Sequence, residues 1–291
     1  MGSGPSVASP PSAATELAAL RRLERAENFP VALRVLPPAL RADLRAVYDV
    51  ARLIDDVGDD PSQSPQQRLR RLATVADDVV AAFTGSARLE VMARLQPTIA
   101  RRRLVADPFL ALVEANRRDQ LTSRYASFDE LRDYCRLSAD PVGRIVLAVF
   151  GVDDAETRRL SDLVCTALQI LEHCQDVAED RRDRDRVYLP QEDLASFGVV
   201  DADLLATAAA PAVRRLIAFE VDRAAALLDE GAAIVERLHG WARLAVAGYV
   251  AGGRATVDAI HDADCDVLAT TPRPRGRQVA RHLLGQLRSP R

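Results

Sequence analysis

The sequence contains no lysine: all 39 basic residues are arginine, set against 42 acidic ones for a net charge of −3. That balance excludes a general nucleic-acid binder, which needs a basic surface. With abundant Ala, Asp and Leu, the missing lysine reads as compositional bias rather than as a functional signal. Aromatic residues make up only 4% of the chain. The four cysteines, Cys135, Cys165, Cys174 and Cys265, lie far apart. They show neither zinc-knuckle nor redox spacing, which excludes a structural zinc site and a disulfide framework and points to reduced thiols. No run approaches about 18 uninterrupted apolar residues, so no transmembrane helix is expected. Period-two β-branched runs are missing, and with them any confident strand. There is no internal repeat of roughly 20–50 residues and no dinucleotide-binding fingerprint.

What the chain does have is helical periodicity. From Thr15 onward, Ala, Leu and Arg dominate, and apolar residues recur at three- and four-residue steps. The pattern predicts helices over 15–26, 37–57, 65–84, 88–101, 107–122, 127–150, 154–180, 201–208, 211–238 and 240–262, with a short last one over 277–287. Pro37-Pro38 opens the second helix. Ser64 and Pro65 fit a cap followed by a first helical position, Gly151 ends a helix, and Asp153 is the expected cap of the next. With 291 residues and no shift in composition, one all-α domain, a helical bundle, is expected. Residues 1–14, rich in Ser, Pro and Gly, read as a disordered leader rather than a signal peptide. The helical domain is placed at 15–268 and a basic tail at 269–291.

Two acidic clusters carry the chemistry. In Tyr48-Asp49-Val50-Ala51-Arg52-Leu53-Ile54-Asp55-Asp56-Val57-Gly58-Asp59-Asp60, Asp55 and Asp59 stand four apart on one helix face. Like charges at that spacing repel, and acids near a helix C-terminus oppose the macrodipole, so the cluster costs stability unless a cation binds it. Magnesium suits it, being a hard ion held by one or two carboxylates with phosphate and water completing the octahedron. Alone, such a pair is as well explained by a solvated helix end. The second cluster shifts that balance: Asp176 and Asp180 are again four apart after an apolar helical run, with Glu172 one turn earlier. Two such ladders suggest facing walls of one cavity, where divalent ions clamp a diphosphate. Breaking a carbon–oxygen bond to leave a carbocation needs metal to neutralise the departing diphosphate and an apolar pocket to hold the cation. Arg52, and Arg186 with Tyr188 in Arg186-Val187-Tyr188-Leu189-Pro190, fit the phosphate end. The rest of the run Arg181–Arg186 alternates in sign like an exposed segment.

These residues resemble the squalene and phytoene synthase family, within the class I isoprenoid-synthase fold, over roughly Leu17 to Leu268. The likeness is carried in order by Asn28-Phe29-Pro30-Val31-Ala32 with Leu36-Pro37, Asp55 to Asp59, Tyr134-Cys135-Arg136, Pro141-Val142-Gly143, and Gln175-Asp176-Val177 with Asp180 and Arg186-Val187-Tyr188-Leu189-Pro190. Within the family, Glu27–Val31 and Tyr134–Arg144 are typical of the bacterial branch that turns presqualene diphosphate into hydroxysqualene. The resemblance implies an all-α bundle with a central cavity, a magnesium-dependent lyase of squalene and hopanoid biosynthesis, and no NAD(P)H. It implies metal association for Asp55, Asp59, Glu172, Asp176 and Asp180, and a diphosphate end lined by Tyr48, Arg52, Arg186 and Tyr188. Asn28, Phe29, Tyr134, Val142 and Gln175 would lie nearer the hydrocarbon or the reacting carbons; for Phe29 and Tyr134, core packing is an equal alternative. Glu172 stands where the family usually has Asn, adding charge at the third metal position, and Asp140 replaces the branch's common Asn.

Other readings stay open. Head-to-head condensation of two prenyl diphosphates is separated from the lyase only by branch likeness. Chain elongation fits poorly, because the first motif is followed by Pro61-Ser62-Gln63 rather than paired arginines. A degenerate assembly protein would usually have lost these aspartates. His173, His239, His261 and His282 make no metal pair and read as polar or surface residues. Trp241 and Tyr249 are expected to pack in the last long helix, where Gly248 and Gly252-Gly253 permit close approach. The tail from Pro272, with its arginines and Val279, Leu283, Leu284 and Leu287, reads as disordered or as a short basic amphipathic helix touching a membrane. A cytoplasmic enzyme, peripheral at the inner face of the membrane and in contact with pathway partner enzymes, is the expectation.

Overall fold

Helix ends fall where proline, glycine and short polar side chains place them. In a computed structural model describing residues 36–288, α1 (Pro38–Gly58) begins at Pro38 and α2 (Pro65–Phe83) at Pro65. Ser64 and Gln67 form a reciprocal capping box at the start of α2. The chain continues through α3 (Glu90–Arg102), α4 (Asp107–Arg118), α5 (Phe128–Ser138), α6 (Asp140–Val149), α7 (Ala155–Gln175), α8 (Val177–Asp183) and α9 (Gln191–Phe197). A 3₁₀ turn (Asp201–Leu205), α10 (Pro211–Gly231), α11 (Ile234–Arg237), α12 (Gly240–Asp262) and α13 (Gly276–Arg288) complete it. No strand occurs among the described residues; one isolated bridge joins Arg124 and Val187. The leader 1–14, the helix predicted over 15–26, Asn28 and Phe29 lie outside the described residues.

Four predicted elements differ. The helix expected over 127–150 is two helices, because Pro141 in the first turn of α6 lacks an N–H and its ring crowds the carbonyl one turn back. The one expected over 154–180 breaks at Asp176 (φ −100°, ψ 7°), on the second ladder itself. The helix over 211–238 ends at Gly231, and the one over 201–208 is a 3₁₀ turn of five residues. The helix α9, between Pro190 and a left-handed Gly198, was not predicted. The cap before α7 is Asp154, which accepts from the Thr157 amide at 2.9 Å, not Asp153.

Three apolar clusters hold the bundle. One joins α1 to α2, α3 and α4 through Leu44, Ile54, Leu72 and Phe109. Another lies between α7 and α10 through Ile170, Leu171, Leu216 and Val221. The third joins α6, α7 and α12 through Leu147, Val164 and Val250, and takes in Leu283 and Leu287 of α13. Each such side chain contributes roughly 1.5–3 kcal/mol on burial. Gly253 of α12 has Leu168 and Leu228 where a Cβ would sit, at 2.7 and 2.8 Å, so close approach requires glycine there. Buried Asp43 of α1 accepts from Thr98, Arg101 and Arg102 of α3, which clamps these helices together. All four cysteines are free.

Candidate active site

The three clusters leave a cavity of about 320 Å³ between α1, α6, α7 and α12. Its walls are apolar: Val142, Val146, Leu147, Val164, Leu168 and Val246 line it. Tyr48, Arg52, Asp55 and Glu172 also line it, so four of the predicted site residues meet Val142 around one space.

Asp55 is open to water on the cavity side and enclosed by protein elsewhere. Enclosure, with repulsion from Asp59 and Asp56, pushes its carboxyl up to about 7, against an opposing hydrogen bond from Asn116 Nδ2 at 3.0 Å and the charge of Arg52. That hydrogen bond depends on Gly58, since a Cβ there would lie 2.0 Å from Asn116 Oδ1. Asp56 points away and pairs with Arg52 at 3.0 Å. Asp60 turns to Ser62 and Arg71 and serves the loop.

The second ladder faces the first. Burial raises the Asp180 carboxyl to about 7, and both Asp176 and, across the gap, Asp59 repel it. Asp176 is likewise raised, first by burial and then by Glu179, with Arg273 and Arg184 opposing. Arg184 spans the two ladders: its Nη1 lies 3.1 Å from Asp180 and its Nε 3.5 Å from Asp59. Arg186, buried, donates to Asp59 at 2.9 Å and lies 3.8 Å from Asp119.

The backbone explains this convergence. Asp185 takes a left-handed conformation (φ 52°), and the Arg186 amide reaches back to the Asp180 carbonyl at 3.0 Å. A left-handed residue just past the cap ends α8, with Asp tolerated where Gly is usual. The turn brings the guanidiniums on either side of Asp185 to the same carboxylate.

Beneath the ladders, Tyr125, Tyr134, Tyr188 and His173 pack ring to ring, His173 stacked on Tyr188 at 3.9 Å. Tyr134 donates to Asp119 Oδ2 at 2.8 Å. Burial raises Asp119 to about 6 despite Arg186, and its Oδ1 has no protein partner among the described residues. His173, expected in a polar or surface role, is buried, and burial lowers it to about 3, so it is neutral. Asp59, Asp176, Asp180, Tyr134, Arg186 and Tyr188 lie outside the cavity lining, and so does Gln175, which is buried with its amide donating to the Pro272 carbonyl.

Residues 23–281 match the squalene/phytoene synthase family. The chain belongs to that family, whose enzymes act on prenyl diphosphates. It is 33% identical over 216 residues to a hydroxysqualene synthase of Sinorhizobium fredii, covering 74% of this chain and 73% of that one. The squalene synthase HpnC of Alicyclobacillus acidocaldarius superposes with a TM-score of 0.75 at 42% identity, covering 86% and 95% of the two chains. A dehydrosqualene synthase with a bound ligand superposes at 0.78 over 94% and 96%, and at 20% identity it shows the shared fold.

Sequence reasoning missed Asn116, Asp119 and Arg184. Asn116 and Asp119 lie near the end of α4, without a partner at recognisable spacing. Arg184 looked like one charge of a solvated run, and only the turn at Asp185 aims it inward.

Among the described residues, no three acids converge on one point, and Arg184 and Arg186 lie among them. The donor set still fits a hard divalent cation. It is all carboxylate oxygen, several of its members are raised by burial and then by repulsion from one another, and Asp119 Oδ1 is a buried acceptor lacking a partner among the described residues.

Proposed function

We propose that this member of the squalene/phytoene synthase family converts presqualene diphosphate to hydroxysqualene and diphosphate, with magnesium held by Asp55, Asp59, Asp176 and Asp180 and assisted by Glu172. The observation that carries the reading is that Asp59 and Asp180, from opposite ladders, are bridged by Arg184, while Asp55, one turn before Asp59, lines an apolar cavity. The hydroxysqualene synthase relative supports the choice of product.

Magnesium, when bound, supplies the positive charge that neutralises the departing diphosphate. Arg184 and Arg186 present guanidinium forks to the phosphate oxygens. Tyr134 and Tyr188 keep Asp119, and through it Arg186, in place. The carbon–oxygen bond breaks with both electrons leaving on the diphosphate oxygen. Val142, Val146, Leu147, Val164 and Leu168 then surround the cation with groups that cannot trap it, while it rearranges. One water adds its oxygen to the cation and loses a proton to solvent, giving the alcohol. Ionisation followed by hydration changes no net oxidation state, so the step consumes no NAD(P)H.

The enzyme works in the cytoplasm, peripherally at the inner face of the membrane, beside the enzymes that supply its substrate and consume its product. The long hydrocarbon chains of both substrate and product support this. Exposed Leu284 of α13, in a segment rich in arginine, is the contact that fits, although Leu283 and Leu287 pack on the domain.

The test is incubation with presqualene diphosphate and magnesium, without a reductant, followed by product identification. Hydroxysqualene is the expected product. Untouched presqualene diphosphate together with turnover of farnesyl diphosphate would replace this reading with head-to-head condensation, and failure to release diphosphate from either would leave a non-catalytic protein.

A further inference from the structure

The ladders do not stand empty of positive charge. Two of the guanidiniums near these carboxylates pair with the same one, Asp59, and they are held differently. Arg186 is buried with a side-chain exposure of 7%, and between Asp59 and Asp119 it is locked by packing. Arg184 is 32% exposed, sits at the end of α8, and touches three acids: Asp180 at 3.1 Å, Asp59 at 3.5 Å and Glu179 at 3.7 Å. It is thus the cation that spans the gap and has room to leave it.

We infer that Arg184 is a positioning residue. It is the resident counter-ion of the unloaded site, holding Asp59 and Asp180 toward each other until divalent cations displace it and diphosphate takes it over. The inference rests on the reading of the ladders as metal-holding. Its physical basis is competition. A divalent cation and the Arg184 guanidinium cannot both hold the same carboxylate oxygens, so metal entering alone must first expel the arginine into water. When diphosphate enters with the metal, Arg184 gains phosphate oxygens in exchange, a bidentate pairing at least as good as the one lost. The arginine therefore weakens metal binding when diphosphate is absent and costs nothing when it is present, which couples the two ligands. Asp59 is the pivot, because its carboxylate pairs with both the Arg184 and the Arg186 guanidinium.

The experiment measures Mn²⁺ binding by the paramagnetic resonance of the free ion, on the full chain, with and without inorganic pyrophosphate. It compares the parent protein with Arg184→Gln, Arg184→Lys and Asp176→Asn. In Arg184→Gln, Mn²⁺ should bind about five- to tenfold more tightly without pyrophosphate, and the enhancement by pyrophosphate should shrink by a similar factor. Arg184→Lys, which keeps the charge, should stay near the parent; a merely structural role would not separate the two variants in this way. Unchanged Mn²⁺ affinity in Arg184→Gln without pyrophosphate overturns the inference while leaving the ladders as the metal site. So does loss confined to the pyrophosphate complex, which would make Arg184 a phosphate ligand only. Mn²⁺ binding that Asp176→Asn does not weaken removes the metal-holding reading itself. Far-ultraviolet circular dichroism of each variant checks folding, and if Arg184→Gln does not fold, Arg184→Met is the replacement variant.

Discussion

Single carboxylates in this protein differ in what they hold. Asp55 faces the cavity with a raised carboxyl and one hydrogen bond from Asn116, and it contributes little to packing. Asp55→Ala or Asp176→Ala should therefore lower diphosphate release by at least about a hundredfold, as loss of one preorganised electrostatic group does elsewhere. The far-ultraviolet spectrum and the melting temperature should stay at or above the parent's, because removing one of two repelling acids relieves strain. Retained turnover in either variant would take that residue out of the site. The same scale holds the clearest limit on reading residues one at a time. Spacing singles out Asp55, Asp59, Asp176 and Asp180 as candidates, because four-residue intervals on a helix are visible in the chain itself. Asp119 and Arg184 carry no such mark. One is paired with Tyr134, 15 positions away, and the other with Asp59, far upstream.

Between elements, a few contacts decide the geometry. Gly58, at the end of α1, touches Asn116 of α4 so closely that a methyl group cannot enter. Gly58→Ala should cost about 1–3 kcal/mol by overpacking, and it should lower activity by pushing Asn116 off Asp55. Adding Asn116→Ala should restore most of the stability in urea melts but not the activity; recovery of both would show that the hydrogen bond to Asp55 is dispensable. The clamp of α3 on Asp43 makes a different prediction. Asp43→Ala leaves Thr98, Arg101 and Arg102 without their shared acceptor, and because both arginines reach water only the hydrogen bonds to the buried carboxylate are lost, about 1.5–3 kcal/mol. A change below about 1 kcal/mol in urea unfolding would mean that the arginines simply turn to water. Helix existence was legible in the periodicity, but several ends were not. The break at Ala139 follows from Pro141 and was within reach of the sequence. The break at Asp176 has no proline or glycine behind it; it coincides with acids at a helix C-terminus, where the macrodipole opposes them.

The molecule as a whole stores unfavourable charge. Burial pushes Asp140 to about 7, and pushes Glu220, which shares Arg223 with Asp193, to about 8. Asp55 and Asp180 add to the same tendency, Asp55 less because water reaches it. For an acid raised in the folded state, the stabilising contribution is complete below its unfolded value near 4 and is lost as pH rises through the folded value. Acids lowered in the folded state, such as Asp43 and Asp78, act only in the opposite, strongly acidic window. The metal-free protein should therefore melt several degrees higher at about pH 6 than at about pH 8.5. Glu220→Gln should narrow that difference, and magnesium should narrow it further by replacing protons at the ladders. Calorimetry at the two pH values is the check, and equal or reversed melting temperatures would contradict the burial of these acids as charged-state penalties.

By itself, the sequence determined the class of the fold, the helices that carry the acids, and the pairs of aspartates four residues apart, because these follow from local periodicity and from side chains within one helical turn of each other. Only the tertiary structure decided which acids face a common space, that Gln175 is turned to Pro272 instead, and that Arg184 lies across the gap. Those facts depend on contacts between residues as many as 125 positions apart in the case of Arg184 and Asp59 (184 − 59), and on one left-handed residue at the end of a short helix. No local pattern in the chain encodes either.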